Sequence, residues 1–326
     1  MPLRLAVFCF LLPLSLTVRA ETDWLSVIWH NDLLIGKDGG GYTNGFFLSL
    51  YTFSDDIRDD FSPPWLTRPL TGWLIDKNHR GLELGVHTLG QMMITPEDVS
   101  KVDRDPGDAP YAGLLYWRSG YFTRKDNRVD SVAVTVGVVG PASGAERTQS
   151  WVHKVTGSKE PLGWDNQIRN EPIGQIERSS LWRFELDEED QREMDMLLLV
   201  SGSVGNLESA ARVAMVMRYG TDLRRSVIAA SQATGRISNP MAVDRGWNLY
   251  FGVGMDYVYN QIFVSGSGIR SGPRADLRHD QYSVFTGWAY AWEQLSVTVG
   301  FSGSSSLDKN STARQNFGSL MVAWRL

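Results

Sequence analysis

Hydrophobic and polar residues alternate with a period of two along much of this chain. At residues 295–301, for example, Leu, Val, Val and Phe occupy the odd positions, and Ser, Thr and Gly lie between them. Such alternation is typical of β-strands with one apolar and one polar face. The pattern predicts twelve strands, at residues 24–32, 43–53, 81–94, 111–124, 129–140, 173–186, 191–204, 207–219, 244–259, 279–292, 295–306 and 314–325.

Two fold classes share this alternation, a soluble β-sandwich and a membrane β-barrel. Arg212 and Arg218 lie on the polar face of one predicted strand, where a sandwich would bury them in a dry core. A barrel lumen tolerates such charges. An even strand number also lets both termini lie at one end. We therefore predict an all-β fold, a twelve-stranded antiparallel transmembrane β-barrel.

The first twenty residues have the features of a secretory signal peptide. Arg4 precedes an apolar stretch at residues 5–16, and Val18, Arg19 and Ala20 form a plausible cleavage site. We expect residues 1–20 to be removed and residues 21–326 to form a single outer-membrane β-barrel domain.

Composition and charge agree with this class. The chain has 12 Trp, 11 Tyr, 13 Phe and 32 Gly, and its formal net charge is −5. Loss of Arg4 and Arg19 with the signal makes the net charge −7, which argues against nucleic acid as a partner. Cys9, the single cysteine, would leave as well, which excludes disulfides and thiolate chemistry.

Strand parity predicts which connections share a face of the membrane. With both termini in the periplasm, odd-numbered strands run outward, and the connections that follow them are extracellular. The segments placed on that rim are Asn31 with Asp32, Tyr42 with Thr43, residues 91–101, residues 105–113 and residues 140–172. Two long segments on the periplasmic side, 54–80 and 220–243, have no predicted function.

The most unusual of these segments is residues 138–172. After Gly140 and Pro141 it predicts a short amphipathic helix in an extracellular loop, with Gln149 and His153 four residues apart on one face. A lone histidine on such a helix is more often a packing residue than a catalytic one.

A chemical interpretation depends on what lies near that histidine. Strict alternation points Asp32 and Thr43 inward across one hairpin, and carboxylate and hydroxyl oxygens are ligands that Ca²⁺ accepts. A neutral imidazole nearby could deprotonate water. Together these groups suit an ester hydrolase, although the chain lacks a calcium-binding loop with DxDxDG spacing.

An ordered set of motifs resembles one known family. The motifs are Asn31-Asp32, Tyr42-Thr43-Asn44-Gly45, Gly90-Gln91 with Thr95-Pro96, Pro110-Tyr111-Ala112-Gly113, residues 137–141, residues 149–153 and residues 164–167. In order and spacing this set is similar to the outer-membrane lipid A 3′-O-deacylase (LpxR-type) family. The resemblance implies a twelve-stranded barrel that removes the 3′-linked acyloxyacyl chain of lipid A in the outer leaflet and depends on Ca²⁺. It also implies an active site between the barrel wall and a helix from an extracellular loop.

The resemblance assigns active-site positions to six residues: His153, Asn31, Asp32, Thr43, Gln149 and Lys101. His153 would be the general base. Asp32 and Thr43 would contribute to the metal site, with Asn31 beside them. Lys101 could contact a lipid A phosphate, and Arg104 is a second basic candidate for substrate binding.

One position departs from the family pattern, because an acidic position after the histidine falls at Lys159, with Glu160 adjacent. Ser150 also leaves a Ser–His nucleophile pair open. Two alternative functions remain, an outer-membrane phospholipase and a non-enzymatic porin-like barrel. The expected partners are lipopolysaccharide and outer-membrane lipids. We expect a monomer in the cell outer membrane whose site faces the extracellular side.

Overall fold

The structure, a computed structural model, describes residues 23–31, 41–54, 61–74, 81–105, 108–189, 192–225, 227–228, 240–241, 246–265, 276–310 and 314–326. The expected signal peptide and Asp32 lie outside these residues. No helix within the described ranges is long and apolar enough to cross a membrane.

Within the described ranges, twelve strands form a closed barrel. They are β1 (Trp24–Asn31), β2 (Gly41–Ser54), β3 (Leu82–Thr95), β4 (Ala112–Lys125), β5 (Arg128–Val139), β6 (Glu171–Glu189), β7 (Arg192–Gly205), β8 (Glu208–Gly220), β9 (Gly246–Gln261), β10 (Asp280–Ala291), β11 (Leu295–Ser304) and β12 (Gln315–Arg325). Each strand pairs antiparallel with its neighbours in sequence, and β1 pairs with β12 to close the barrel. The predicted fold class and number of strands are confirmed.

Three α-helices lie in connections between the strands of the described chain. They are α1 (Arg68–Leu74), α2 (Ala145–Thr156) and α3 (Ile262–Ser265). Short 3-10 turns span Pro141–Ser143, Trp164–Asn166 and Leu223–Arg225, and a two-residue ladder pairs 227–228 with 240–241. α2 is the helix predicted in the connection after the fifth strand. α1 falls in the segment 54–80, for which the sequence suggested no function.

The two faces of the strands differ as the alternation predicted. On β1, Ser26 and His30 are buried toward the lumen, whereas Trp29 points outward and is exposed. Along β2, Phe46 is likewise exposed on the outer face, and Ser49 is buried. The outer face thus carries an exposed apolar band of the kind that contacts lipid.

Charged side chains fill the lumen as ion pairs. Arg118 donates to Glu177 at 2.9 Å, and both side chains are buried. Arg218 contacts Asp195 at 2.6 Å, and Arg183 contacts the same carboxylate at 2.5 Å. The inward arginine at position 218, which favoured a barrel over a sandwich, is confirmed with its carboxylate partner.

Strict alternation fails near the start of β2. The pairing of β2 with β3 shifts register between Tyr42 and Asn44, which leaves Thr43 as an extra residue in the ladder. A bulge of this kind re-aims the chain, so period-two reasoning does not extend across Thr43. The side chain of Thr43 lies outside the described part of the chain.

The C-terminal ends of β1, β3 and β5 all lie at the barrel end opposite the start of β1 and the end of β12, and we call this the loop end. The segments that carry Lys101 and α2 therefore share one rim, as strand parity predicted. α1 lies at the other end, between β2 and β3.

Candidate active site

Residues 140–170, between β5 and β6, form a helical lobe. Within it, α2 lies between Gly144 and Gly157, two glycines whose φ angles are 70° and 73° respectively. The N–H of Gly157 donates to the carbonyl oxygen of His153, which closes the last turn. Glycine suits both positions because other residues are strained in this left-handed region.

The lobe docks on the outer face of the barrel. A Cβ atom added to Gly113 of β4 would lie 2.1 Å from Ser143 Oγ and 2.4 Å from Ala145 Cβ. Gln91 Nε2 of β3 donates to the carbonyl oxygen of Ser143 at 2.8 Å, and the N–H of Gly140 donates to the carbonyl oxygen of Gly113 at 2.8 Å. Gly113 shares its face with the exposed Trp117, so the lobe covers the lipid-facing side of the wall.

A row of cross-strand neighbours joins this docking point to β1. Asn31 pairs with Asn44, Asn44 with Met93, and Met93 with Gly113. By alternation all four residues point outward, yet Asn31, Asn44 and Met93 are buried. At about 4.8 Å per strand, the row extends for about 14 Å along the rim. Asn31, which the family resemblance assigns to the active site, therefore lies on the same buried part of the outer wall as the docking point of the lobe.

A small apolar core holds the lobe together. It comprises Met93, Tyr111, Ala145 and Trp164, all buried, and the rings of Tyr111 and Trp164 lie 5.0 Å apart. The hydroxyl of Tyr111 donates to the carbonyl oxygen of Val99 at 3.0 Å. Burial raises the pKa of Tyr111, so the phenol keeps the proton that it donates.

Gln149 is the most buried polar residue of α2, at 1% exposure. Its Oε1 accepts a hydrogen bond from Trp164 Nε1 at 2.7 Å, which fixes the orientation of the amide because the indole N–H can only donate. The other amide atom, Nε2, is buried and has no hydrogen-bond partner among the described residues. A buried N–H group without an acceptor can donate a hydrogen bond to a bound ligand.

His153 lies one turn after Gln149 and is 8% exposed. Its Nδ1 contacts the backbone carbonyl oxygen of Lys159. A carbonyl can only accept, so Nδ1 carries the proton, and in the neutral ring the lone pair is on Nε2. This tautomer is the one that a general base needs.

The contact between His153 and Lys159 involves the position at which the family has an acidic residue and this chain has a lysine. The side chains of Lys159 and Glu160 are exposed, and the group that holds His153 is the backbone carbonyl of Lys159. A backbone carbonyl is present whatever the side chain. The lysine is therefore compatible with an oriented imidazole.

The loop that carries Lys101 is tied to the lobe. The N–H of Leu162 donates to the carbonyl oxygen of Val99 at 2.9 Å, and Asn166 Nδ2 donates to Asp103 Oδ1 at 3.1 Å. Lys101 itself is exposed and donates to Asp105 at 2.6 Å, a bond that raises the pKa of the lysine. Nearby, Arg104 donates to the carbonyl oxygen of Asp108.

The predicted site residues thus fall into three groups. Gln149 and His153 are together on α2, and the loop bearing Lys101 and Arg104 is attached to the same lobe. Asn31 lies along the rim from the lobe's docking point. Asp32 and the side chain of Thr43 lie outside the described residues. Among the residues that are described, no group of three or more His, Cys, Asp or Glu could hold a metal ion.

The sequence did not identify the residues on which the helical lobe docks. Gln91 and Gly113 belong to motifs that the sequence singled out, but neither was assigned a role. A glycine inside a strand, as at Gly113, is the signal that another backbone approaches closely.

A closed barrel with a charged lumen, an apolar outer band and a lobe on its outer wall defines an outer-membrane β-barrel protein. Within this class, the chain belongs to the LpxR family, because the family model described as "Outer membrane protein LpxR" matches residues 4–326. The resemblance seen in the motifs is confirmed.

Comparison with solved structures agrees on the fold. LpxR from Salmonella typhimurium matches with a TM-score of 0.73 and 15% identity, over 93% of this chain and 100% of that one. The β domain of the Bordetella autotransporter BrkA matches with a TM-score of 0.46 and 9% identity, over 93% of this chain and 98% of that one, too distant to inform function. No curated protein matches this chain in sequence.

Proposed function

We propose that this protein is a lipid A 3′-O-deacylase, which hydrolyses the ester that links the 3′ acyloxyacyl chain to lipid A in the outer leaflet. One observation carries the proposal. In an LpxR-family barrel, His153 is oriented as a base on a helix that docks against the lipid-facing wall. A lipid substrate can reach such a site laterally, without leaving the membrane.

The position of the lobe favours this function over that of a porin. A porin works through its lumen, whereas Gln149 and His153 lie on a lobe outside the wall. Arg118, Arg183 and Arg218 are buried in ion pairs on the lumen side, away from the lobe. Gln149 and His153 therefore lie on the side of the wall that meets lipid, and not in the lumen.

The proposed reaction uses His153 as a general base. Nε2 accepts a proton from water as the water oxygen attacks the ester carbonyl carbon. The N–H from Nδ1 to the Lys159 carbonyl oxygen stabilises the imidazolium that forms. Collapse of the intermediate breaks the bond between the acyl carbon and the sugar oxygen, and the imidazolium returns the proton to that oxygen. The products are a free acyloxyacyl acid and a 3′ hydroxyl.

Gln149 is a candidate donor in the same reaction. Its Nε2 is buried and lies one helical turn before His153, and its other amide atom is fixed by Trp164. A fixed N–H donor near the ester oxygen stabilises the negative charge that develops there.

Calcium is part of the proposal through the family resemblance. The side-chain oxygens of Asn31, Asp32 and Thr43 are of the kind that Ca²⁺ prefers, and Asn31 is buried at the rim on the outer face. When bound there, the ion would supply positive charge for the ester oxygen. The test is chelation, because activity that persists in EDTA would remove the metal from the proposal.

Lys101 and Arg104 are proposed to bind the phosphates of lipid A. Both are in the loop attached to the lobe, and Lys101 is exposed. Its present partner, Asp105, is also exposed, and exchange of an exposed ion pair for a phosphate contact costs little.

The experiment compares lipid A and phospholipids by mass spectrometry from Gram-negative cells that express each variant. Wild type should yield lipid A without its 3′ acyloxyacyl chain, and His153→Ala should leave lipid A intact. Ser150→Ala is the matched control, because Ser150 is exposed on the same helix. Unchanged lipid A with wild type, or an active His153→Ala, contradicts the proposal. An inactive Ser150→Ala would favour a serine nucleophile, and cleaved phospholipids would favour a phospholipase.

A further inference from the structure

The exposed surface of α2 has two different sides. At 100° per residue, Trp151 and Val155 lie on one flank, at 47% and 48% exposure. Arg147 and Lys154 lie opposite the buried face, and Glu146 and Ser150 form the other flank. An apolar flank that contains a tryptophan next to basic residues is typical of helices at a membrane interface.

The position of the lobe along the barrel axis also indicates that α2 lies at the membrane interface. Trp29, Phe46, Gln91 and Leu115 are cross-strand neighbours on the outer face. Trp29 and Phe46 are exposed, and Gln91 in the same row donates to Ser143 at the start of the lobe. The lobe is therefore attached at the level of the apolar band, beside it and continuous with it.

A second helix marks the opposite edge of this band. In the segment that carries α1, Phe61 stacks on Tyr121 of β4 with ring centroids 6.2 Å apart, and Leu70 packs against the same cluster. Trp65 and Trp73 of this segment remain exposed, Trp73 at 80%. Tyr121 points outward like Gly113, so both helices lie against the outside of the same strands.

The spacing between the two helices matches a membrane. From Gly113 to Tyr121 is eight residues of β4, about 26 Å along the strand. A strand tilt of about 40° reduces this to about 20 Å of height, close to the apolar band of about 25 Å found in such barrels. Halfway between them lies a row of exposed apolar neighbours, Leu89, Trp117 and Val136.

We infer that α2 is an interfacial helix of the outer leaflet. Its Trp151 and Val155 flank inserts at the boundary between acyl chains and headgroups, and Arg147 and Lys154 contact lipid phosphates. The occupant of this surface is the anionic lipid monolayer, because the flank is continuous with the lipid-facing band and its neighbouring charges are basic. The inference goes beyond the deacylase proposal and is independent of any role of His153.

The experiment measures membrane depth with nitroxide labels. Cys9 is the single cysteine of the chain, so Cys9→Ser provides a background without thiols. Trp151→Cys and Val155→Cys label the apolar flank, and Glu146→Cys and Ser150→Cys are controls on the opposite flank of the same helix. Each protein is reconstituted into vesicles of phosphatidylcholine and phosphatidylglycerol, and its folding is checked by the heat-dependent shift of barrels on gels. Collision rates with oxygen and with a water-soluble nickel complex then report depth.

Labels at 151 and 155 should collide more with oxygen, and labels at 146 and 150 more with nickel. Equal nickel access at all four positions would place α2 in water and overturn the inference. Shielding of 151 and 155 from both reagents would instead indicate a second copy of the chain on this flank, and would also overturn it.

The basic residues provide a second test in the same system. The label at 155 should lie deeper in vesicles that contain phosphatidylglycerol than in pure phosphatidylcholine, and added salt should remove the difference. Arg147→Ser with Lys154→Ser should abolish this dependence on lipid charge. If the parent protein shows no such dependence, attraction of these basic residues to anionic lipid is contradicted.

Discussion

Alanine in place of Gly113 is expected to weaken the docking of the helical lobe without damaging the barrel. The added Cβ would lie 2.1 Å from Ser143 Oγ and 2.4 Å from Ala145 Cβ, far inside the 3.5–4.0 Å at which carbon atoms make favourable contact. Ser143 can relieve its overlap by rotating its side chain. Ala145 cannot, because its Cβ is fixed by the backbone of α2.

The size of the effect follows from overpacking. Extra atoms in a well-packed site cost about 1–3 kcal/mol. Since each 1.4 kcal/mol is a factor of ten, the ratio of docked to undocked lobe should fall by about 5-fold to about 140-fold. Hydrogen exchange of α2 amides, followed by mass spectrometry, should accelerate by that factor, and deacylase activity should fall with it.

Gly174→Ala is the matched control for this experiment. Gly174 is also a strand residue, but a Cβ added there meets nothing within 4 Å. Gly174→Ala reduces the flexibility of the unfolded chain in the same way as Gly113→Ala, but it creates no overlap in the folded protein. Hydrogen exchange in α2 and deacylase activity should therefore be unchanged. Unaltered protection of α2 in Gly113→Ala would refute the close docking of the lobe on β4.

Other parts of the structure make equally direct predictions. Trp164→Phe keeps the ring against Tyr111 but leaves Gln149 Oε1 buried without its donor, so opening of the lobe should become easier by about 1–3 kcal/mol, again measured by exchange in α2. Arg118→Met should destabilise the barrel by about 3–5 kcal/mol in urea unfolding because Glu177 is left charged and buried, and Arg118→Met with Glu177→Leu should recover most of this loss. Unchanged stability of the single variant would mean that this ion pair does not support the barrel. Lys101→Met should raise the KM for lipid A, and the ratio of its KM to that of wild type should stay constant from about pH 7 to about pH 9. The reason is that the hydrogen bond that Lys101 donates to Asp105 raises the pKa of the lysine. Its charge is therefore complete below the ordinary lysine pKa and is lost only as pH rises through the raised value. A ratio that declines within this range would contradict the role of a charged Lys101.

The barrel was predictable because period-two alternation fixes which side of each strand meets lipid. The inward arginine at position 218 and the outward Trp29 both follow from that rule. The rule fails at Thr43, where a bulge inserts an extra residue that no local pattern announces. It also says nothing about what else covers an outward side chain, so the burial of Asn31 and Asn44 was not foreseen.

The helix that carries Gln149 and His153 was predictable from the sequence, but the contacts of these two residues were not. Gln149 and His153 were placed together because residues four apart share a helix face. The partners that give them chemical meaning, the Trp164 indole and the Lys159 carbonyl, depend on how the loop after α2 folds back. The family pattern has an acidic side chain at the position of Lys159, whereas here His153 Nδ1 contacts the backbone carbonyl oxygen of that residue.

We propose that His153, held against the outer wall, directs water to the 3′ ester of lipid A. The most direct test incubates purified protein with purified lipid A and Ca²⁺ in water enriched in the heavy oxygen isotope, followed by mass spectrometry of both products. Wild type should release an acyloxyacyl acid that carries one heavy oxygen and leave an unlabelled 3′ hydroxyl, and His153→Ala should release neither product. Intact lipid A with folded wild type, or the label in the sugar hydroxyl, would contradict the account.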